Sequence, residues 1–290
     1  MPDVRSPDLR RRELGKRLRG LRTEKGLTVE QVADHLLCSP SKVSRMETGH
    51  RGVTLRDVRD LCNLYGISDP AEREGLMTLA REGRQQAWWQ HYDLQYSTYV
   101  GLEAAALAIS DFQSSVVPGM LQTADYARAG HEAAMPRFGP AEIERQIEAK
   151  LTRQQLLAKE DPPSFDAVLD EAVLHRMTGG PRVMRAQLDR LVDVAQLSHV
   201  TVQVVPFAVG AHPALESNFN ILELPATSGV VFVEGLVGSM YLERPEDLER
   251  YRRIFDRLRN IALSPEDTVD LIAKIRIALP ASLSIKRGAA

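Results

Sequence analysis

Apolar residues in the first eighty positions recur at helical spacing and are punctuated by capping residues. Leu14, Leu18 and Leu21 fall at i, i+4 and i+7, with Arg and Lys filling much of the segment until Gly26 stops it. Thr28 opens a second helix, with Gln31 three residues on in the capping-box relation, and Val32, Ala33 and Leu36 form its inner face. Ser39 is an N-cap for a third helix, with Pro40 at the first position, where a missing N–H costs nothing. Val43 and Met46 supply that helix's apolar side and Gly49 ends it. Thr54 and Asp57 repeat the cap pattern before Leu55, Val58, Leu61 and Cys62. A fifth segment, Pro70 to Gly83, uses Leu76, Leu79 and Ala80.

Beyond that point helical and extended patterns alternate. Residues 101–110 read as a short alanine-rich segment, and Val116–Gly119 as a turn before a helix over Thr123–Met135. Ile143, Ile147 and Leu151 space a helix over Pro140–Leu157. Phe165–Leu169 is a strand, Gly179–Pro181 a break, and Val183–Leu197 a helix. Val200–Pro206, Phe219–Leu224 and Gly229–Glu234 are strands, the last two joined as a hairpin across Pro225–Ser228. Helices over Pro245–Asn260 and Pro265–Leu279 close the pattern. The fold expected is multidomain: an all-α five-helix head, then a mixed α/β or α+β domain whose strand order is open. The boundaries are 9–84 for the head, 85–100 for a connecting segment and 101–280 for the second domain.

Charge sharpens this division. Residues 1–66 carry 14 Lys plus Arg against 9 Asp plus Glu, whereas the remaining 224 carry 23 against 30. A basic head on an acidic body suits a head that meets a polyanion. No apolar run reaches membrane-spanning length, and MPDVRSPDLRRRE lacks a signal peptide's apolar stretch, so a cytoplasmic protein without a membrane partner is expected. Two cysteines, Cys38 and Cys62, cannot form a metal tetrad or a disulfide scaffold. Trp88, Trp89, Tyr92, Tyr96 and Tyr99 could stack on bases or hold a linker against a core. Without a dense basic set around them, docking between domains is favoured.

Two capped helices joined by a short turn are the arrangement that presents side chains to a major groove. Residues 14–66, and above all GLTVEQVADHLLCSPSKVSRMETG, closely resemble the phage-repressor-like (XRE) helix-turn-helix family. The resemblance implies a five-helix DNA-binding domain in a transcriptional regulator, with Thr28–Leu36 positioning and Pro40–Thr48 recognising. Ala33 matches the small residue at the helix crossing, Val43 and Met46 the core anchors, and Glu47 the acidic position. A glycine is frequent in that family where Leu37 or Cys38 stands here.

Side-chain chemistry sorts the exposed positions of the head. Ser41, Ser44 and Arg45 are the base-edge candidates: Arg donates bidentately to guanine and Ser donates or accepts. A phosphate or intramolecular salt-bridge role is the alternative for Arg45, and local capping for the serines. Arg17, Thr28, Lys42, Thr48 and Arg51 are the phosphate candidates. One recognition helix contacts few bases, so a homodimer reading two half-sites on double-stranded DNA is favoured over a monomer or heteromer.

A second resemblance covers roughly residues 95–275. SSVVPGMLQTADYARAG at 114–130, DAVLDEAVLHR at 166–176 and TVQVVPFAVGAHPALESNFNILELP at 201–225 are similar to the C-terminal domain behind such heads in actinobacterial regulators. What it implies is a developmental or antibiotic-related regulator, often encoded beside a small partner protein. A small-molecule effector is the other option. Leu121, Tyr126, His175, Pro206, Phe207, His212 and Glu216, with the 206–217 loop and the 231–236 segment, are the candidate partner or ligand surface, although the apolar ones could equally form core. Asp166, Asp170, Glu171 and His175, and separately His199, His212 and Glu216, lie close in sequence without a metal-ligand spacing. DAVLD reads at least as well as a strand and turn as it does a helix. No nucleotide-binding glycine motif, nucleophile elbow or Cys/His pair is present, so no catalytic residue, metal or cofactor is expected. A DNA-tethered hydrolytic enzyme and a structural DNA scaffold are the rival classes.

Overall fold

The computed structural model describes residues 6–92, 96–134, 139–225, 229–235 and 238–281. Chain contacts divide it into two compact units, Met1–Ala105 and Ala106–Ala290. Met135, Ala226–Ser228 and Leu236, which belong to segments predicted above, lie outside the described residues.

The first unit holds α1 (Pro7–Glu24), α2 (Val29–His35), α3 (Pro40–Glu47), α4 (Leu55–Leu64), α5 (Pro70–Glu82), a single helical turn (Trp88–Tyr92) and α6 (Ser97–Glu103). The caps act as their sequence positions require. Thr28 and Gln31 form the full capping box, Ser39 accepts from the Lys42 N–H at 3.2 Å, and Thr54 accepts from that of Asp57 at 3.0 Å. One core joins α1 to α5: Leu14, Leu18, Val32, Ala33, Val43, Met46, Val58, Leu61, Leu76 and Leu79, with Leu21, Leu36 and Cys38 packed at its margin. A Cβ at Gly15 would lie 2.6 Å from the Met46 and Glu47 carbonyl oxygens, so only glycine lets α1 cross α3 this closely. Cys62 is in the core.

The aromatic segment folds back onto α1. Trp89 is buried and its Nε1–H donates to Asp8 Oδ2 at 3.2 Å. Trp88 makes edge contacts with Trp89 and Tyr92 at centroid distances of 5.7 and 5.8 Å. Burial pushes the Asp8 carboxyl up, against the lowering effect of its ion pair with Arg11.

The second unit is a mixed α/β domain, as the alternating pattern predicted. It runs β1 (Ala108–Gln113), a turn (Gly119–Leu121), α7 (Ala124–Ala134), α8 (Pro140–Gln154), a tight turn (Gln155–Ala158), β2 (Ser164–Asp170), α9 (Ala172–His175), α10 (Gly180–Val194) and β3 (Val200–Val205). A further turn (Phe207–Val209), β4 (Phe219–Glu223), β5 (Val230–Glu234), β6 (Ser239–Leu242), α11 (Pro245–Ile261) and α12 (Pro265–Ala278) complete it. Among the described residues the sheet has the order β3-β2-β1-β4-β5-β6. Strands β1, β2 and β3 are parallel, joined by helical crossovers, while β4 to β6 form an antiparallel meander beginning with the predicted hairpin.

Two strands were not legible in the pattern. The central β1 has Ile109 and Phe112 buried, yet it also buries Asp111, which breaks the apolar run. Edge strand β6 is short and its Met240 is exposed. DAVLD is a strand followed by a turn. Leu151 points outward on α8, and Leu156 and Leu157 of the following turn are buried instead. One face of the sheet, with Phe112, Val168, Phe219, Ile221 and Val231, packs on Leu248, Phe255 and Leu258 of α11. The outer edge of β3 is closed by the α11–α12 corner, where Leu263 N–H donates to Val204 O at 2.8 Å and Val204 N–H to Thr268 Oγ1 at 3.1 Å.

Candidate nucleic-acid interface

Helix α3 has two faces. Val43, Met46 and Glu47 are buried, whereas Ser41, Ser44, Arg45 and Thr48 are exposed on one side. That outer face is lightly tied: Arg45 Nε reaches Ser41 O at 3.4 Å, and Thr48 Oγ1 donates to Ser44 O at 2.9 Å. Three donor-bearing side chains at i, i+3 and i+4 can therefore approach base edges from one helix face.

The phosphate candidates divide. Arg17, Thr28 and Arg51 are exposed, Arg17 beside Glu13 at 3.2 Å and Thr28 engaged in its cap. Lys42 is half-buried and paired with Asp57 at 3.3 Å, so that pair would have to open or tilt to reach DNA.

What holds α3 in place was only half visible in the sequence. Glu47, the acidic position of the resemblance, receives a two-point contact from Arg22: Nε to Oε1 at 2.6 Å and Nη2 to Oε2 at 2.9 Å. Arg22 Nη1 also donates to Leu27 O at 2.9 Å, so that Arg22 ties the end of α1 to α3 and to the α1–α2 turn. The hydrogen bond that Arg22 donates to Glu47 raises the Arg22 pKa, and burial together with the Glu47 charge raises that of Tyr65. Arg22 looked like one basic residue among many, because its partner lies 25 positions away.

The turn between α2 and α3 has the geometry that usually calls for glycine. Cys38 N–H donates to Ala33 O at 2.9 Å and Leu37 N–H to Asp34 O at 3.2 Å, closing α2 in a Schellman motif. Leu37 has φ 51°, and among the described residues it is the one non-glycine residue in the left-handed region.

In the second unit the surface candidates separate into core and surface. Leu121 and Tyr126 are interior, 0% and 1% exposed, and so belong to the core. Tyr126 Oη accepts from the buried Val117 N–H at 3.2 Å. The others gather where β2 and β3 end. Glu171 accepts from Phe207 N–H at 2.7 Å and from His175 Nε2 at 3.1 Å, and the His175 and Phe207 rings stack 5.6 Å apart. His212 is buried. Ala214 N–H donates to its Nδ1 at 3.3 Å, leaving Nε2–H to donate to Asp170 Oδ2 at 3.2 Å. These two acidic residues pin the 206–217 loop, from which Phe207, Leu215 and Glu216 project into solvent. Pro206 is half-buried at its base. His199 is held elsewhere, by Leu157 O at 2.9 Å, and Asp166 faces Arg259 at 3.7 Å. Among the described residues no three His, Cys, Asp or Glu side chains are arranged to hold a metal ion, and no helix is long and apolar enough to cross a membrane.

A capped two-helix element with an exposed donor face, followed by a separate mixed α/β unit, defines the class. Residues 13–76 match the family described as a helix-turn-helix domain, so the chain carries a DNA-binding domain at this end. Residues 96–274 match the family described as Domain of unknown function (DUF5753), and with more than half its length covered the chain belongs to that family. Comparisons with curated proteins and with solved structures give no match.

Proposed function

We propose that this protein is a sequence-specific transcriptional regulator of the phage-repressor type, binding double-stranded DNA as a homodimer with α3 in the major groove. The observation that carries this reading is the exposed Ser41, Ser44 and Arg45 face on a helix whose opposite side is locked by Val43, Met46 and the Glu47–Arg22 pair. In it Arg45 reads guanine, the serines contact neighbouring bases, and Arg17, Thr28, Thr48 and Arg51 hold the phosphates, with Lys42 joining them when it leaves Asp57.

The second unit is the signal-receiving part, without catalytic activity of its own. Its pinned 206–217 loop suits a docking surface for a small protein, because the exposed Phe207 and Leu215 are held without being buried. A small molecule acting on the same unit is the alternative effector. Binding of either to the second unit must differ between the DNA-bound and free states to alter occupancy.

Selection from random duplex DNA tests the first part. The full chain should enrich one motif, with affinity falling as salt rises through counterion release. Arg45→Ala should relax preference at one or two base pairs, at a cost of about 1–3 kcal/mol on the cognate site. Arg17→Ala should weaken all duplexes alike. Failure of the folded protein to enrich any motif at low salt would overturn sequence-specific regulation.

A further inference from the structure

Helix α11 concentrates positive charge within the acidic part of the chain. Between Arg250 and Arg259 it carries five arginines and one acidic residue, Asp256. The helical period sorts these arginines into two groups. Arg252 and Arg259, two turns apart, reach the strands: Arg252 holds Glu223 of β4 by a two-point contact at 2.9 and 2.7 Å, and Arg259 lies 3.7 Å from Asp166 of β2. Arg250, Arg253 and Arg257 fall at i, i+3 and i+7 on the opposite side of the helix and are exposed. Among the described residues Arg250 and Arg257 make no ion pair, and Arg253 makes a loose one, Nε to Glu249 Oε1 at 3.9 Å.

The inner pair fastens α11 to the sheet, whereas the outer three do nothing for the fold. Like charges one turn apart repel, a cost that a polyanion removes. At 1.5 Å rise per residue the row is about 10 Å long. It is also a single file, because Glu249 and Asp256 occupy the neighbouring flank of the same exposed side. Glu246, in line one turn earlier, lies 3.8 Å from Arg244. A file of guanidinium forks suits the file of phosphates along one DNA strand. The exposed positions beside it, Glu249, Asp256 and Asn260, offer no aromatic platform for a single strand. Duplex phosphate is moreover held at high local concentration once the helix-turn-helix domain of the same chain is bound.

We propose that the row Arg250, Arg253 and Arg257 contacts the phosphate backbone of the duplex bound by the first unit, adding sequence-independent affinity to whatever α3 reads. The inference rests on DNA binding by the first unit. It does not depend on which bases α3 contacts, or on whether that contact is sequence-specific.

Salt dependence counts such contacts, because each neutralised phosphate contributes about −0.9 to the slope of log affinity against log salt. Fluorescence anisotropy of the full chain, titrated onto a labelled random-sequence duplex and onto one carrying the selected motif, gives that slope between about 50 and 200 mM salt. The triple variant Arg250→Gln, Arg253→Gln, Arg257→Gln should have a slope shallower by about 2–3 on both duplexes. Arg257→Gln alone should lose about 0.9, and serves if the triple variant does not fold. Replacing the same three by lysine should keep the slope. A charge-matched control at exposed positions elsewhere in the unit, Arg145→Gln, Lys159→Gln, Arg182→Gln, should also keep it. An unchanged slope in the folded glutamine variants would overturn the contact and leave the row to an acidic protein partner. An equal loss in the control would overturn it as an effect of net charge alone. If selection yields no motif, sequence-specific regulation fails, while the slope on the random duplex still decides this contact.

Discussion

Replacing Leu37 with glycine should stabilise the DNA-binding unit, an unusual outcome for the removal of a leucine. Leu37 is 93% exposed, so almost no apolar burial is lost with its side chain. Its φ of 51° forces Cβ towards the following carbonyl, at a cost of roughly 1–2 kcal/mol for an L-residue. Glycine removes that cost but adds roughly 0.5–1 kcal/mol of unfolded-chain entropy. The net expectation is a gain of about 0.5–1 kcal/mol. Leu37→Ala keeps the Cβ and hence the strain, so it should change little. The same motif closes α1, where Leu27 N–H donates to Arg22 O at 3.1 Å, and there the left-handed position is held by Gly26 at φ 66°. Both tryptophans of the chain, Trp88 and Trp89, lie in the first unit, so chemical denaturation followed by tryptophan fluorescence isolates its stability. The reasoning fails if Leu37→Gly is no more stable than Leu37→Ala, which would mean that the turn carries no strain or that the exposed leucine makes a compensating contact.

Three further outcomes follow from the same packing. Glu47→Ala leaves the Arg22 guanidinium, whose side chain is 14% exposed, without its carboxylate; the first unit should lose about 3–5 kcal/mol in the same fluorescence assay. Gly15→Ala places a Cβ 2.6 Å from two carbonyl oxygens of α3, and should cost about 1–3 kcal/mol; on the proposed function it should also lower affinity for every duplex by displacing α3. His131 titrates at about 4 in the fold against roughly 6.5 when unfolded, so its contribution to stability is present above pH 6.5 and is lost as pH falls towards 4. Acid titration of the second unit by circular dichroism should therefore show a shallower loss over that window in His131→Gln, and an unchanged slope would show that His131 is solvated.

The sequence by itself determined the head almost turn by turn, because each helix there is specified by neighbours three or four positions apart. Thr28 with Gln31, Ser39 with Pro40, Thr54 with Asp57 and the stripes of Val43, Met46, Leu61 and Leu76 are local statements, and helices are built from local bonds. Most of the second unit's elements were legible for the same reason, and so was the separation of the exposed α3 positions from the buried ones. What required the tertiary structure is what depends on distant partners. The order of the strands, and the existence of β1 and β6, depend on partners that in the β1–β4 pair lie more than a hundred residues apart, and the buried Asp111 hides β1 from any pattern of alternation. The Arg22–Glu47 contact and the pinning of the 206–217 loop by Asp170 and Glu171 join residues whose types are ordinary and whose spacings have no period. Leu121 and Tyr126 could be read as surface or core, and only burial decided between them: side-chain polarity states a preference for water or interior, but the layers of a fold decide which residues are actually covered.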